Sequence, residues 1–100
     1  MDITKSFNEY KDSINSVLSN ISDKKLFKVI EMIKISVKNK GKVYIIGNGG
    51  SSSIASHVSV DFTKVAKIPS ITFNNSNLIT CFANDYGYDN WVTEALKSYL

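Results

Sequence analysis

Apolar residues recur at steps of three and four along the first part of the chain, a spacing that predicts amphipathic helices. The first helix is predicted over residues 3–21. Its apolar stripe consists of Ile3, Phe7, Tyr10, Ile14, Val17 and Ile21. The same spacing forms a heptad seam, so this stripe can pack on its own subunit or on a second copy.

A second helix is predicted next, with Ser22 as its N-cap and Gly41 as the left-handed residue that ends it. Its predicted buried face consists of Leu26, Val29, Ile30, Ile33 and Val37. Two helices are therefore expected before the first strand.

The pattern changes at residues 43–46, which are apolar without polar alternation, as in a strand covered on both faces of a parallel sheet. A loop rich in glycine and serine leads to a third helix, predicted to start within two residues of Ser51 and to end near Ala66. Its helical period is carried by Ile54, Val58, Phe62 and Val65. A second strand is predicted over residues 68–73, then a helical turn over residues 78–82 and a last helix with Asp89 as its N-cap.

The order helix, helix, strand, helix, strand, helix is typical of an α/β layered fold with a parallel sheet. The length of 100 residues allows one domain at most. Two strands are too few for a stable parallel sheet, and no Gly or Asn caps the last helix. We therefore expect either a piece of a longer protein or a short protein that oligomerisation completes.

Composition narrows the class of protein. The chain is 43% hydrophobic and 21% charged, as in an ordinary globular protein, and its only cysteine, Cys81, allows no internal disulfide. The single cysteine and a Met1 start without the charged-then-apolar pattern of a secretory signal lead us to expect a cytoplasmic protein. No apolar run approaches the roughly 20 residues that cross a bilayer, so we expect no membrane span. The net charge of +3 comes from scattered lysines without any arginine, which argues against a nucleic-acid partner.

The loop after the first predicted strand reads Gly47-Asn48-Gly49-Gly50-Ser51. A glycine-rich turn between a strand and a helix presents backbone N–H groups, and the positive end of the helix, to an anion or a polar sugar. The loop has no Gly-Lys-Ser/Thr, and Ser52 stands where a dinucleotide-binding loop has its third glycine. The pattern therefore predicts a binding loop of neither of these types.

His57 and Asp61 are four residues apart, so both lie on one face of the third predicted helix. An imidazole and a carboxylate in this arrangement can provide two ligands to zinc or a similar ion. The alternative interpretation is a solvent-exposed His–Asp pair, and the spacing alone leaves both open.

Three motifs follow one another along the chain: Ile46-Gly47-Asn48-Gly49-Gly50-Ser51, then His57 with Asp61, then Asn84-Asp85-Tyr86-Gly87-Tyr88. In the order and spacing of these motifs, the chain resembles the phosphoheptose isomerases of the sugar isomerase (SIS) family. The resemblance implies a three-layer, flavodoxin-like SIS fold, represented here by its first two strands. Residues 1–40 would form an N-terminal helical pair, and residues 41–100 the first half of the SIS domain.

The same resemblance implies a set of site residues. The implied substrate contacts are Asn48, Gly49, Gly50, Ser51, Asp61, Asn84 and Asp85. His57 and Asp61 are implied as catalytic residues and zinc ligands, with Asp61 as the base. The family usually has Glu at position 61, so Asp retracts the carboxylate by one methylene.

The implied activity is the interconversion of sedoheptulose 7-phosphate and a heptose 7-phosphate for lipopolysaccharide or capsule synthesis, carried out by a homotetramer. The family's second Ser/Thr-rich phosphate loop and its later Gln and His fall beyond Leu100, so residues 1–100 alone are expected to lack turnover. Two alternatives stay open. One is an SIS-type module that binds a phosphorylated sugar without catalysis, and the other is a structural oligomerisation fragment.

Overall fold

The structure is a computed structural model that describes residues 2–100. Its elements are α1 (Ile3–Ser19), α2 (Asp23–Lys38), β1 (Val43–Tyr44), α3 (Gly50–Lys64), β2 (Ser70–Ile71), α4 (Ser76–Tyr86) and α5 (Trp91–Tyr99). The strands are parallel, which confirms the predicted α/β class. The chain divides into two compact units, one ending at Ile35 and one running from Ser36 to Leu100. Within residues 2–100, no helix combines the length and the apolar character needed to cross a membrane.

The first unit consists of α1 and most of α2. The Asp2 side chain caps α1 by accepting from the Lys5 N–H at 3.1 Å, and Ser22 accepts from the Lys25 N–H at 3.4 Å, as predicted for an N-cap. No residue of α1 is buried, and its apolar stripe is exposed along its whole length. The prediction of a buried face on α2 is largely wrong. Leu26, Val29 and Ile30 are exposed, because nothing in residues 2–100 covers them.

The C-terminus of α2 corrects the predicted role of Gly41. The left-handed residue is Lys40, with φ of 60°, and the Gly41 N–H donates to the Ser36 carbonyl at 2.8 Å while the Lys40 N–H donates to Val37. These two bonds form a Schellman motif in which Gly41 occupies the position after the left-handed residue. Glycine is needed there because a Cβ would stand 2.9 Å from the Ser36 carbonyl oxygen.

The two strands are paired in parallel with Val43 opposite Ser70 and Tyr44 opposite Ile71. The ladder continues one residue beyond β1, where the Ile45 N–H donates to the Ile71 carbonyl at 2.9 Å. Parallel strands need a crossover connection, and α3 provides it. Both strands therefore point their carboxyl ends toward the same edge of the sheet.

The core lies between the sheet and the last two helices. Phe73, Trp91 and Ala95 are its buried residues. The partly buried side chains packed on them are Tyr44, Ile46, Ile71, Leu78, Ile79, Phe82, Ala83, Val92 and Leu96. Side chains alternate between the faces of a strand, so the members of this set from the two strands share one face. Because α3 packs on β2 outside this cluster, the sheet has helices on both faces.

The fully buried residues of α3 are not the apolar residues whose spacing predicted the helix. Ala55 and Ser59 are buried, whereas Ile54 is 65% exposed and Val65 is 72% exposed. Small side chains at positions 55 and 59 let the helix approach β2 closely, whereas Val58 and Phe62, beside them, are only half-buried.

Two predictions about the C-terminal part are also wrong. The expected turn over residues 78–82 is a complete helix, α4, because Asn75 caps it by accepting from the N–H groups of Asn77 and Leu78. Asp89 is not the N-cap of α5. Asn90 is the flanking residue, and its side-chain amide donates to the Tyr86 carbonyl at 3.0 Å instead of capping the helix.

The left-handed conformation of Lys40 generates a stability prediction. Lys40→Gly removes a backbone conformation that costs an L-residue about 1–2 kcal/mol, partly offset by the greater chain entropy of glycine. We expect the free energy of unfolding to rise by about 0.5–1 kcal/mol, measured by urea denaturation. The matched control is Lys38→Gly in the last turn of α2, which should lower it by about 1 kcal/mol. A destabilised Lys40→Gly variant would contradict the assignment.

Candidate functional site

The loop between β1 and α3 turns so tightly that one of its positions has no room for a side chain. A Cβ at Gly47 would collide with the Ser51 carbonyl group, whose carbon would lie 2.5 Å away. Gly49 is the N-cap, with φ of 55° and ψ of −125°. The chain therefore folds back at Gly47 and begins α3 within a few residues of the carboxyl end of β1.

The same loop leaves backbone donors free at the start of α3. The Ser51 and Ser52 N–H groups donate to the carbonyls of Asn48 and Gly49, each at 3.0 Å. In residues 2–100 the N–H groups of Gly49 and Gly50 have no such partner. All four predicted loop contacts, Asn48 to Ser51, are exposed, and a Cβ at Gly50 would meet nothing within 4 Å. Free donors at a helix N-terminus that face open space suit an anion or a polar sugar.

His57 and Asp61 come together on α3 as the sequence predicts. His57 Nε2 lies 3.5 Å from Asp61 Oδ2, and the two side chains are 78% and 55% exposed. At the helical rise of 1.5 Å per residue, His57 lies about 9 Å along the axis from Ser51, and Asp61 about 15 Å. One helix thus connects the loop to the His–Asp pair.

The spacing of the His57–Asp61 pair matches the geometry of a zinc site. Two donors at about 2.1 Å from zinc, at the tetrahedral angle, are separated by about 3.4 Å. The observed 3.5 Å between His57 Nε2 and Asp61 Oδ2 fits this value. The part of the chain that the structure describes contains no group of three His, Cys, Asp or Glu residues placed to hold one ion. The pair can therefore fill two positions of a tetrahedral set.

Asn84 and Asp85 lie near the C-terminal end of α4, which extends beyond the helical turn predicted over residues 78–82. The Asn84 amide donates to Asp85 Oδ1 at 3.1 Å, and the Cys81 thiol donates to Asp85 Oδ2 at 3.8 Å. Within residues 2–100, no hydrogen bond or ion pair joins Asn84 or Asp85 to α3. The structure thus orients the Asp85 carboxylate but leaves it apart from the His57–Asp61 pair.

A polar link between β2 and α3 was missed by the sequence analysis. The Asn74 amide donates to Ser56 Oγ at 2.6 Å and lies 3.4 Å from the Ser52 carbonyl oxygen. Asn74 directly follows the strand predicted over residues 68–73, and nothing in its local pattern marks it as a contact to α3. The one available signal was the pair of serines at positions 52 and 56, one turn apart on the face of α3 turned toward the sheet.

A cavity of about 240 Å³ lies elsewhere in the second unit. Its lining residues are Lys40, Gly41, Lys42, Tyr44, Tyr99 and Leu100. These residues border the amino end of β1, and none of the predicted site residues is among them. The loop instead lies at the carboxyl edge of the sheet, where open α/β sheets bind their ligands. His57 and Asp61 are exposed further along α3.

Comparison with known proteins places this geometry in a family. The sequence profile described as the SIS domain matches residues 9–97. The phosphoheptose isomerase of Buchnera aphidicola is 34% identical over 102 residues, covering 92% of this chain and 52% of that protein. The phosphoheptose isomerase of Cytophaga hutchinsonii is 33% identical over 87 residues, covering 77% and 46%.

A third relative, the phosphoheptose isomerase of Helicobacter pylori, is 31% identical over 93 residues, covering 87% of this chain and 48% of that protein. The chain spans about half the length of these curated relatives. The SIS profile covers most of the chain, and the parallel sheet and the glycine-rich turn into α3 are consistent with it. The chain therefore belongs to the SIS domain family.

Proposed function

We propose that this chain is the N-terminal portion of a phosphosugar isomerase that interconverts sedoheptulose 7-phosphate and a heptose 7-phosphate for lipopolysaccharide or capsule synthesis. The observation that carries the proposal is that one helix, α3, begins at a loop with free N–H groups and bears His57 and Asp61 further along. The names of the relatives support the same reaction.

The loop binds the phosphorylated sugar. The N–H groups of Gly49 and Gly50, at the positive end of α3, donate to its oxygens, and the side chains of Asn48 and Ser51 add polar contacts. Asp85, whose two oxygens are oriented by neighbours on α4, accepts from a sugar hydroxyl through its remaining lone pairs. Asn84 lies beside it as the second member of this substrate-contacting pair.

Asp61 acts as the general base. Its carboxylate removes a proton from the carbon beside the sugar carbonyl, which gives an enediol, and the proton is returned to the neighbouring carbon. A sugar held by the loop presents one particular carbon to the carboxylate, and this positioning lowers the activation barrier of proton transfer. When no ion is bound, His57 Nε2, which is 3.5 Å from Asp61 Oδ2, can hold the carboxylate in position.

His57 and Asp61 are also the zinc ligands in this proposal, supported by the fit of their donor spacing to a tetrahedral ion. Zinc held there would supply Lewis-acid polarisation of the substrate carbonyl. Two ligands are too few for a stable site, so the remaining ones come from outside the described residues, from water or from substrate. Asp at position 61 keeps its carboxylate one methylene closer to α3 than the family's usual Glu.

The apolar stripe of α1 supports a homo-oligomer, and we propose a tetramer. Its members are between 41% and 71% exposed in residues 2–100. Burial of each such side chain contributes about 1.5–3 kcal/mol, so a second copy packed on the stripe would gain substantially.

The second candidate function is a module that binds a phosphorylated sugar without turning it over. The observation that favours it is the incomplete ligand set, with two donors on α3 and no group of three in residues 2–100. Binding needs only the loop, whereas isomerisation also needs the base and a charge-stabilising group.

The first prediction separates these candidates in the full-length protein. Asp61→Asn should lower kcat by about 100-fold or more while changing the Kd for sedoheptulose 7-phosphate by less than about fivefold, because it removes the base and keeps the shape. His57→Ala should lower both zinc content and kcat. The readouts are heptose 7-phosphate formation, calorimetric binding and metal analysis.

Asp61→Glu and Lys64→Ala are the controls for these variants. The first keeps a carboxylate and the second removes a neighbouring exposed charge on α3, so both should stay active. An active Asp61→Asn enzyme would refute Asp61 as the base. Wild-type protein that binds the sugar phosphate without turnover would establish the binding module. Residues 1–100 alone should be inactive.

The second prediction uses two glycines with opposite surroundings. Gly50→Ala adds a methyl group that meets no atom of the chain within 4 Å at a residue with a free N–H group. Affinity for sedoheptulose 7-phosphate should fall about tenfold or more while stability changes by less than about 1 kcal/mol. Gly47→Ala forces a collision with Ser51 and should lower the free energy of unfolding by about 1–3 kcal/mol. Unchanged ligand affinity in Gly50→Ala would rule out the loop as the binding site.

The third prediction concerns assembly. Phe7→Asp places a charge in the centre of the exposed stripe and should dissociate the oligomer at micromolar concentration, as measured by sedimentation velocity. Asn8→Asp, which adds the same charge outside the stripe, should leave the sedimentation coefficient unchanged. A wild-type monomer, or an intact oligomer with Phe7→Asp, would refute this interface.

A further inference from the structure

A chain of hydrogen bonds connects the end of β2 to the loop before α3. The Asn74 amide donates to Ser56 Oγ at 2.6 Å, and Ser56 Oγ donates to the Ser52 carbonyl at 3.0 Å. Ser52 Oγ in turn donates to the Gly49 carbonyl at 2.7 Å. Because the amide also lies 3.4 Å from the Ser52 carbonyl oxygen, Asn74 contacts α3 at two points, one in its first turn and one in the turn that follows.

The two ends of this chain differ in how firmly they are held. Asn74 directly follows Phe73, which is 4% exposed and belongs to the core with Trp91 and Ala95. The other end is the exposed loop at Gly49, where helix termini commonly fray. The bonds therefore attach the exposed start of α3 to a residue that directly follows the buried core.

We infer that Asn74 is a positioning residue that holds the loop of residues 47–51 in its ligand-binding conformation, an inference that rests on the proposed function of that loop. Asn74 does so by fixing the first turn of α3, and with it the direction of the free Gly49 and Gly50 N–H groups. A donor contributes most when it is already aimed at its acceptor before the ligand arrives.

The neighbouring residue provides a matched control. Asn75 is also exposed and also makes side-chain hydrogen bonds, but it caps α4 through the N–H groups of Asn77 and Leu78. No bond joins Asn75 to α3 in the part of the chain that the structure describes. Asn74→Ala and Asn75→Ala thus remove the same amide one residue apart, and only the first releases the loop.

The experiment measures calorimetric binding of sedoheptulose 7-phosphate to the full-length protein and its two alanine variants. Asn74→Ala should raise Kd by about threefold to tenfold, the loss expected for one or two hydrogen bonds. Asn75→Ala should keep Kd within about twofold of wild type. Equal losses in the two variants, or none in Asn74→Ala, would overturn the inference.

A second measurement needs no ligand. Amide hydrogen exchange at Ser51 and Ser52, whose N–H groups are bonded within the loop, should be faster in Asn74→Ala than in wild type and unchanged in Asn75→Ala. If wild-type protein binds no sedoheptulose 7-phosphate, the proposed function fails and this exchange comparison decides the loop-holding role alone. Unchanged exchange in Asn74→Ala would refute that role.

Ser56→Ala tests whether the link runs through the hydroxyl. It removes the acceptor of the Asn74 amide, so it should reproduce the effect of Asn74→Ala on Kd and on exchange. The Kd of the double variant should lie within about twofold of the Kd of either single variant, since both substitutions break the same link. Additive losses of affinity would show that Asn74 and Ser56 act independently and would overturn the proposed chain of bonds.

Discussion

The close approach of Gly47 to the Ser51 carbonyl is the constraint on which the candidate site depends. It lets the chain pass from the last ladder bond of the sheet, at Ile45, into α3 within a few residues. A longer turn would move the start of α3 away from the sheet edge, and the free N–H groups of Gly49 and Gly50 would lose their fixed direction. The position of His57 and Asp61 follows from the same turn, because a rigid helix transmits the direction set at its first residues.

Local spacing predicted the helices well because helical geometry is set within one or two turns. The apolar steps of three and four gave the position of α1, and Ser22 gave the start of α2. The same reasoning failed at Gly41, since glycine serves equally for a left-handed dihedral angle and for close backbone approach. Only the structure shows that Lys40 takes the left-handed conformation and that Gly41 avoids the Ser36 carbonyl.

In the candidate site, too, a contact within one helix was predictable from the sequence, whereas a contact between distant segments was not. The proximity of His57 and Asp61 follows from a separation of four on one helix, so the sequence was sufficient to predict it. The bond from Asn74 to Ser56 joins residues 18 apart and depends on how β2 sits against α3, which no local pattern fixes. The buried face of α3 escaped prediction for a related reason. The choice of Ala55 over Ile54 follows from how closely the helix approaches the strand.

The exposure of the His57–Asp61 pair limits what it can do by itself. Water screens an exposed charge pair, so its electrostatic effect on a substrate or an ion is small until the pair is covered. Ile54 and Val60, which are 65% and 57% exposed, lie one turn from His57 on the same helix and offer apolar surface beside the pair. A cover packed on that surface would bury apolar area and exclude water from Asp61 at the same time. If the pair acts as proposed, its electrostatic effect would therefore grow as this apolar surface becomes buried.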